Sequence, residues 1–164
     1  MERWRRRREL ATDGAQMITD EHTLNELSQK IIGASFRVGN ALGSGFAEKV
    51  YENSLAHELR KLGLNVQQQV PLKVWYDGVV VGEFVADLIV EESIVVEIKA
   101  VEHLIPVHVA QCINYLATTA MPLCLLINFA GRVEVKRLAG TAFKKMPSVS
   151  ICAPSVANSS SDDQ

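Results

Sequence analysis

The chain has 164 residues, of which 48% are hydrophobic and 22% are charged. This composition supports one domain with a buried core, and it excludes an intrinsically disordered chain, which carries fewer apolar residues and a larger net charge. A membrane-spanning helix is excluded because the sequence has no run of about 18 apolar residues.

The charge of the chain is divided unevenly. Five arginines lie within the first nine residues, whereas beyond residue 9 twelve basic residues face seventeen acidic residues, a formal charge of −5. An acidic body does not hold nucleic acid by bulk charge, so such a role requires a local site, metal ions or the arginine segment. We expect residues 1–19 to be a disordered or non-native extension, with Met17 as a candidate native start. The alternatives are a nucleic-acid arm and a solvated tail.

The cysteines indicate neither a disulfide framework nor a zinc site. Cys112, Cys124 and Cys152 are odd in number and widely spaced, and no cysteine–histidine pattern typical of zinc occurs. The first sixteen residues also lack the apolar segment of a secretory signal. We therefore expect a protein of the reducing cytoplasm, with no membrane partner.

Two helices are predicted first. Between residues 20 and 42 apolar residues recur every three or four positions, which is typical of an amphipathic helix. The segment 43–45, Gly-Ser-Gly, ends or bends this element. A second helix is predicted over about residues 46–62, with Gly63 in the position just beyond its end where glycine commonly lies.

Strand patterns fill the middle of the chain. Residues 66–76 alternate between apolar and polar side chains, and Asp77 with Gly78 predicts a tight two-residue turn into a second strand over residues 79–90. A third strand is predicted over residues 94–100.

The remainder of the folded region returns to one helix and two strands. Pro106 suits the first turn of a helix that runs to about residue 119. Residues 121–128 are almost wholly apolar, which predicts a strand buried on both faces, and a turn leads into a last strand over residues 133–138. Residues 147–164, rich in serine, are expected to form a disordered tail.

The predicted element order is ααβββαββ within a single domain of residues 20–146. This order indicates an α/β fold in which helices flank one central mixed β-sheet.

The segment between Asp87 and Lys99 carries the clearest chemical pattern. If residues 91–93 form a three-residue loop, Asp87 lies directly opposite Glu97, and Lys99 shares their face because strand side chains alternate. A two-residue loop would instead send Asp87 to the other face. On the three-residue register the opposite face is wholly apolar: Ala86, Leu88, Val90, Ile94, Val96 and Ile98.

Two opposed carboxylates need compensation. Two unit charges about 4 Å apart repel by about 4 kcal/mol at an effective dielectric constant of 20. A divalent cation such as Mg²⁺ would remove this repulsion, since it often takes one or two carboxylates and completes its shell with waters and phosphate oxygens. Lys99 could then hold an attacking water or a phosphate oxygen. The alternative is a solvated hairpin rim in which Lys99 neutralises part of the charge.

Glu48 extends the apolar stripe of the second predicted helix, three residues before Tyr51. It could be a third metal ligand or could anchor a water in the site. The alternative is a carboxylate placed favourably at the positive end of the helix dipole.

Gln111 and Tyr115 are four residues apart on the third predicted helix, so they share a face with His108. This polar face could contact a nucleic-acid backbone or a base, or it could simply face solvent. The other side of the helix is predicted to be apolar, with Val109, Ile113 and Leu116.

The seven residues from Gly45 to Tyr51, Gly-Phe-Ala-Glu-Lys-Val-Tyr, match the motif of the GxxExxY protein family, which this chain resembles. That family resembles a branch of the PD-(D/E)XK nuclease superfamily. Two positions depart from the pattern, because Ala86 replaces the proline of the superfamily name and Gly39 stands where many members carry histidine. The resemblance spans about residues 20–138 and continues through Glu52, Leu55, Glu58, Leu59, Asp87, Glu97, Ile98, Lys99, Gln111, Tyr115, Leu116, Leu126, Ile127, Asn128 and Phe129.

The resemblance implies a restriction-endonuclease-like core and Mg²⁺-dependent phosphodiester hydrolysis, with Mn²⁺ as an alternative cofactor. It implies that Asp87 and Glu97 bind the metal and that Glu48 is the helix-borne acid of the site. Lys99 would orient the water or stabilise the charged transition state.

By the same resemblance, Gln111 and Tyr115 match the Gln-xxx-Tyr helix motif of RecB-like nucleases, which lies beside the DNA path. The expected function is therefore a nuclease that acts on DNA, with RNA as the other possible substrate. The alternatives are a catalytically inactive nuclease-fold module that binds nucleic acid or a protein partner, and a hydrolase of nucleotides or small phosphates.

Overall fold

The computed structural model describes residues 14–140 and 150–152, and describes side chains from residue 21 to residue 140. Three α-helices and six β-strands occupy the described residues. The helices are α1 (Gly14–Leu42), α2 (Glu48–Lys61) and α3 (Pro106–Thr119). The strands are β1 (Val66–Tyr76), β2 (Val79–Val90), β3 (Ile94–Lys99), β4 (Leu123–Asn128), β5 (Glu134–Ala139) and β6 (Ser150–Cys152).

The strands form one mixed sheet in the order β1-β2-β3-β4-β5-β6. β3 and β4 are parallel, and the other neighbouring pairs are antiparallel. Because parallel neighbours need a long crossover, α3 connects β3 to β4. The predicted α/β class, with helices flanking a mixed sheet, is confirmed.

The core consists of two apolar clusters on the two faces of the sheet. The first cluster lies between the sheet and the helices α1 and α2, and it contains Val96 of β3. The second lies between the sheet and α3, and it contains Val95. Because adjacent strand residues point to opposite faces, the central strands are buried on both sides. Every residue of β4 is buried, as its apolar sequence predicts.

The turns of the hairpins follow their sequence signals. Asp77 and Gly78 have φ values of 48° and 77°, which is the backbone that a tight two-residue hairpin turn requires. The second hairpin has the predicted register, with Leu88 opposite Val96 and Val90 opposite Ile94. The three-residue loop at residues 91–93 is therefore confirmed.

The limits of the fold differ from the prediction at both ends. α1 begins at Gly14, so it covers part of the segment predicted as an extension. Within the predicted tail, Ser150–Cys152 pair with β5 as the short strand β6. The other residues of the predicted tail beyond position 146, and residues 1–13, lie outside the described residues. Within the described part, no helix has the length and apolar content to cross a membrane.

Candidate active site

The loop between α1 and α2 places the first functional side chain. Gly45 in this loop has φ of +104°, which favours glycine. The hydroxyl of Tyr51 donates to the carbonyl of Gly43 at 2.8 Å and accepts from the amide of Phe46 at 3.3 Å. The ring of Tyr51 stacks on Phe129 with centroids 4.6 Å apart. The glycine and tyrosine of the seven-residue motif therefore fix the loop that leads into α2.

Glu48 is the first residue of α2, and it is exposed rather than part of the buried stripe. Its Oε1 accepts a hydrogen bond of 3.2 Å from the amide of Ala100, which directly follows β3. This contact places a helix-borne carboxylate next to Lys99, the last residue of β3. The position also matches the alternative prediction, because an acidic residue in the first turn favourably meets the positive end of the helix dipole.

Asp87 lies in β2 and turns its carboxylate toward the backbone of β3. Its Oδ2 accepts a hydrogen bond of 2.8 Å from the amide of Ile98, and its Oδ1 accepts one of 3.2 Å from the side chain of Gln69. Burial raises the pKa of Asp87, and the hydrogen bond from Ile98 opposes this increase only in part.

The prediction that Ala86 shares the apolar face of Leu88 is wrong. Leu88 packs in the first cluster, whereas Ala86 packs in the second cluster, on the side of α3. The change of face coincides with an irregularity of the β1–β2 hairpin, since Gln69 has φ of +52° and the strand pairs skip the level of Gln69 and Asp87. A residue in this left-handed region interrupts the alternation of a strand, so the side chains change faces at this level.

Glu97 is the most buried carboxylate of the site, with a side chain that is 2% exposed. Its Oε1 accepts a hydrogen bond of 2.6 Å from the ammonium of Lys99, so the two side chains meet on one face as predicted. Its Oε2 is buried and has no partner with hydrogen-bond geometry among the described residues, although the hydroxyl of Tyr115, which donates to Val85, lies close enough to lower the pKa of Glu97. Burial, and then the charge of Asp87, raise the pKa of Glu97 to about 7.

Lys99 carries the positive charge of this cluster, and its side chain is 14% exposed. Burial alone would lower its pKa, but the hydrogen bond to Glu97 and the charges of Glu97, Glu48 and Asp87 outweigh burial and raise it. Lys99 therefore keeps its charge at neutral pH and remains a donor toward any anion that enters the site.

The residues of the site fit a divalent cation on two structural grounds. The first is the buried Oε2 of Glu97, which has no described partner. The second is the partly buried carboxylate of Asp87, which lies close enough to Glu97 for the two negative charges to repel each other. Within residues 21–140, no three histidine, cysteine, aspartate or glutamate side chains are arranged to hold a metal by themselves. Mg²⁺ does not need such a set, because it commonly takes one or two carboxylates together with water and phosphate oxygens.

α3 turns Gln111 and Tyr115 toward the sheet, whereas the alternative prediction was that they simply face solvent. Tyr115 is fully buried, and its hydroxyl donates to the carbonyl of Val85 at 2.9 Å. The amide of Gln111, which is partly buried, donates to the same hydroxyl. Ile113, predicted on the apolar side, is 53% exposed instead. Tyr115 lies near enough for the charge of Glu97 to raise its pKa, although burial is the larger cause.

Two side chains beside the site, Glu52 and Gln69, were assigned no role by the sequence reasoning. Glu52 of α2 is 3% exposed and accepts hydrogen bonds from three side chains. One of these donors is Gln69, which also donates to Asp87. Glu52 is four residues after Glu48 on the same helix, and this spacing was the signal that could have identified it.

Gly39 has no room for the histidine found at this position in many members of the resembled family. A Cβ added to Gly39 would overlap Cγ2 of Val133, a buried residue that borders Phe129. A larger side chain at position 39 would therefore require Val133 to move, because well-packed cores tolerate added volume poorly.

Searches of the curated proteins and of the solved structures each gave no significant match to this chain. The sequence model of one family matches residues 25–138, a range that contains every side chain of the site described above. This range is well over half of the chain and agrees with the mixed sheet flanked by helices. The chain therefore belongs to the PD-(D/E)XK nuclease superfamily.

Proposed function

We propose that this protein is a metal-dependent phosphodiester hydrolase, a nuclease that acts on DNA in the cytoplasm. The observation that carries the proposal is the buried carboxylate of Glu97, which has one oxygen bonded to Lys99 and the other without a described partner, beside Asp87. Burying such a carboxylate costs desolvation free energy unless its charge is compensated. A purely structural role does not explain why this position carries a carboxylate.

In this proposal Asp87 and Glu97 hold Mg²⁺ or Mn²⁺, with Glu48 as a further acid at the edge of the site. When bound, the cation lowers the pKa of a coordinated water and screens the charge of the phosphate. The remaining ligands come from water and from the phosphate of the substrate.

In the proposed reaction, the ammonium of Lys99 stabilises the negative charge that develops on the phosphate in the transition state. Its ammonium is held at 2.6 Å by Glu97 and is flanked by the carboxylate of Glu48, so its position is fixed before a substrate enters. A preorganised donor of this kind stabilises the transition state without reorganising during the reaction.

Gln111 is the proposed contact to nucleic acid on α3, since its side chain is partly exposed. Tyr115 is buried, so it contributes by holding Gln111 and the backbone of Val85 rather than by its own surface. RNA is the alternative substrate.

The test is a cleavage assay on single-stranded and double-stranded DNA and RNA, with Mg²⁺ and with a chelator. We expect Asp87→Ala and Lys99→Ala to reduce cleavage by at least about 100-fold, the usual magnitude for a group that acts in the transition state. Glu83→Ala is the matched control, because Glu83 lies on the same strand with a side chain that is 63% exposed. Cleavage by Asp87→Ala at the rate of the wild type, or metal-independent cleavage, would contradict the proposal.

A second candidate is a catalytically inactive module of the same fold that binds nucleic acid or a protein. The observation in its favour is the ion pair of Lys99 with Glu97, which already uses one carboxylate oxygen. This candidate predicts DNA binding that neither Mg²⁺ nor Asp87→Ala changes, in the absence of cleavage. A filter-binding or anisotropy titration measures this.

A further inference from the structure

One residue within β1 has a backbone conformation that strands rarely contain. Gln69 has φ of +52°, in the left-handed region that non-glycine residues seldom adopt. The other described non-glycine residues with positive φ lie in turns or at the end of a helix: Asp77, Glu91, Glu92 and Ala120. Such strained residues persist where the surroundings hold them, and they concentrate at functional sites.

The side chain of Gln69 joins two carboxylates. Its Nε2 donates to Oε2 of Glu52 at 2.8 Å and to Oδ1 of Asp87 at 3.2 Å. An amide nitrogen carries two protons, so both donors are used. Asp87 therefore receives one donor on each oxygen, from Gln69 and from the backbone of Ile98.

Glu52 is held firmly on its other side. The ammonium of Lys49 donates to its two oxygens at 2.8 and 2.9 Å, and the amide of Gln68 donates at 2.9 Å. With a side chain that is 4% exposed, Glu52 is a buried and fully bonded anchor. It fixes the amide of Gln69 from the side opposite to Asp87.

The pairing of the strands also places Gln69 beside Asp87. Gln68 pairs with Leu88 and Val70 pairs with Ala86, so Gln69 and Asp87 lie at the same level of the hairpin. This is also the level at which the side chains change faces. The irregular backbone of Gln69 thus aims one amide between α2 and the proposed metal ligand.

We propose that Gln69, anchored by Glu52, is a positioning residue that holds the carboxylate of Asp87 in the orientation required to bind a divalent cation. The inference rests on the proposed function, because it assumes that Asp87 is a metal ligand. Partners that orient metal ligands typically contribute 10-fold to 100-fold to metal affinity.

The test measures the melting temperature of the full chain across a Mg²⁺ titration, and in parallel the Mg²⁺ dependence of cleavage. Gln69→Met removes the amide at similar length. Gln69→Gly also removes it but accepts positive φ without strain, so it is the second variant to measure if Gln69→Met does not fold. Gln67→Met is the matched control, since Gln67 is an exposed glutamine of the same strand.

We expect both Gln69 variants to need about 10-fold more Mg²⁺ than the wild type for the same rise in melting temperature and for half-maximal cleavage. Gln67→Met should remain within about twofold of the wild type. A purely structural role would lower the melting temperature without metal but leave unchanged the Mg²⁺ concentration needed for a given rise.

Two outcomes separate the claims. If Asp87→Ala abolishes the Mg²⁺ shift while both Gln69 variants respond to Mg²⁺ at the same concentrations as the wild type, the positioning role is overturned and the proposed function stands. If the wild type itself shows neither a Mg²⁺ shift nor metal-dependent cleavage, the proposed function and the inference are both overturned.

Discussion

Glu97 combines burial, a neighbouring like charge and incomplete hydrogen bonding. Its pKa is raised to about 7 by burial and then by Asp87, and Lys99 satisfies only one of its two oxygens. A glutamine or an apolar side chain would fill this position with less desolvation cost. The proposed cation would account for the carboxylate, because it would meet the unpartnered oxygen and reduce the repulsion from Asp87.

The raised pKa of Glu97 predicts a pH dependence of the metal-free protein. A carboxyl whose pKa is higher in the folded than in the unfolded state stabilises the fold below the unfolded value, here 4.5. This contribution is lost as pH rises through about 7, and it is at most about 3 kcal/mol for a shift of this size. The raised pKa of Asp87 acts in the same direction.

The measurement is thermal unfolding in a chelator from pH 5 to pH 8.5. The melting temperature should fall across this range for the wild type. Glu97→Gln should flatten most of the decline, whereas Glu83→Gln should keep it. An equally steep decline in Glu97→Gln would contradict the assignment of the shift to this group.

Sequence reasoning could predict the register of the second hairpin, with Leu88 opposite Val96, because the length of a hairpin loop sets the register, and the register decides which side chains meet. It missed Gln69, since the alternating pattern of β1 runs through that residue with no glycine to indicate an irregular backbone. The error in the face of Ala86 follows directly from that omission. The role of Glu52 was not predicted because its burial depends on partners that include Gln68 and Gln69 of another element.

The seven-residue motif acts through an element, the loop from Gly43 to Phe46 together with α2. Gly45 supplies the left-handed turn, and Tyr51 bonds to both ends of the loop while stacking on Phe129. Glu48 then reaches the end of β3 at Ala100. The motif thus fixes the conformation of the loop and, through Glu48, places a carboxylate at the site.

Tyr51→Phe tests this account at the level of the element. The substitution keeps the stacked ring and removes the hydrogen bonds to Gly43 and Phe46, so it should cost about 1–2 kcal/mol in the free energy of unfolding. Denaturant unfolding measures this cost, and Mg²⁺-dependent cleavage should fall as well because Glu48 is no longer fixed.

The matched control for that substitution is Tyr76→Phe. Tyr76 is 75% exposed at the tip of the first hairpin, and it should tolerate the same chemical change with little effect. If Tyr51→Phe has the stability and the cleavage rate of this control, the loop does not depend on the hydroxyl.

α3 illustrates what the period of a helix can and cannot predict. The spacing of Gln111 and Tyr115 correctly placed them on one side of the helix. It could not decide which side meets the sheet, and that choice depends on the bond from Tyr115 to Val85 and on the packing of Cys112 in the same cluster as Cys124 of β4. The helix therefore exposes Ile113 and buries Tyr115.

At the scale of the whole molecule, the acidic body and the proposed activity are compatible. Beyond residue 9 the formal charge is −5, which disfavours nucleic-acid binding by bulk charge. Three of the acids, Glu48, Asp87 and Glu97, surround the end of β3, where a divalent cation would offset part of this charge.

The α/β class was predictable from the order of the elements, whereas the sixth strand was not, because β6 lies in a serine-rich segment.

Calorimetric titration of Mg²⁺ into the full chain at pH 8, without nucleic acid, tests the central claim most directly. The account predicts binding of one Mg²⁺ by the wild type and by the exposed-carboxylate control Glu83→Gln, and loss of this binding in Glu97→Gln. Absence of Mg²⁺ binding by the wild type at millimolar concentrations, or equal binding by Glu97→Gln, would contradict a metal site at Asp87 and Glu97.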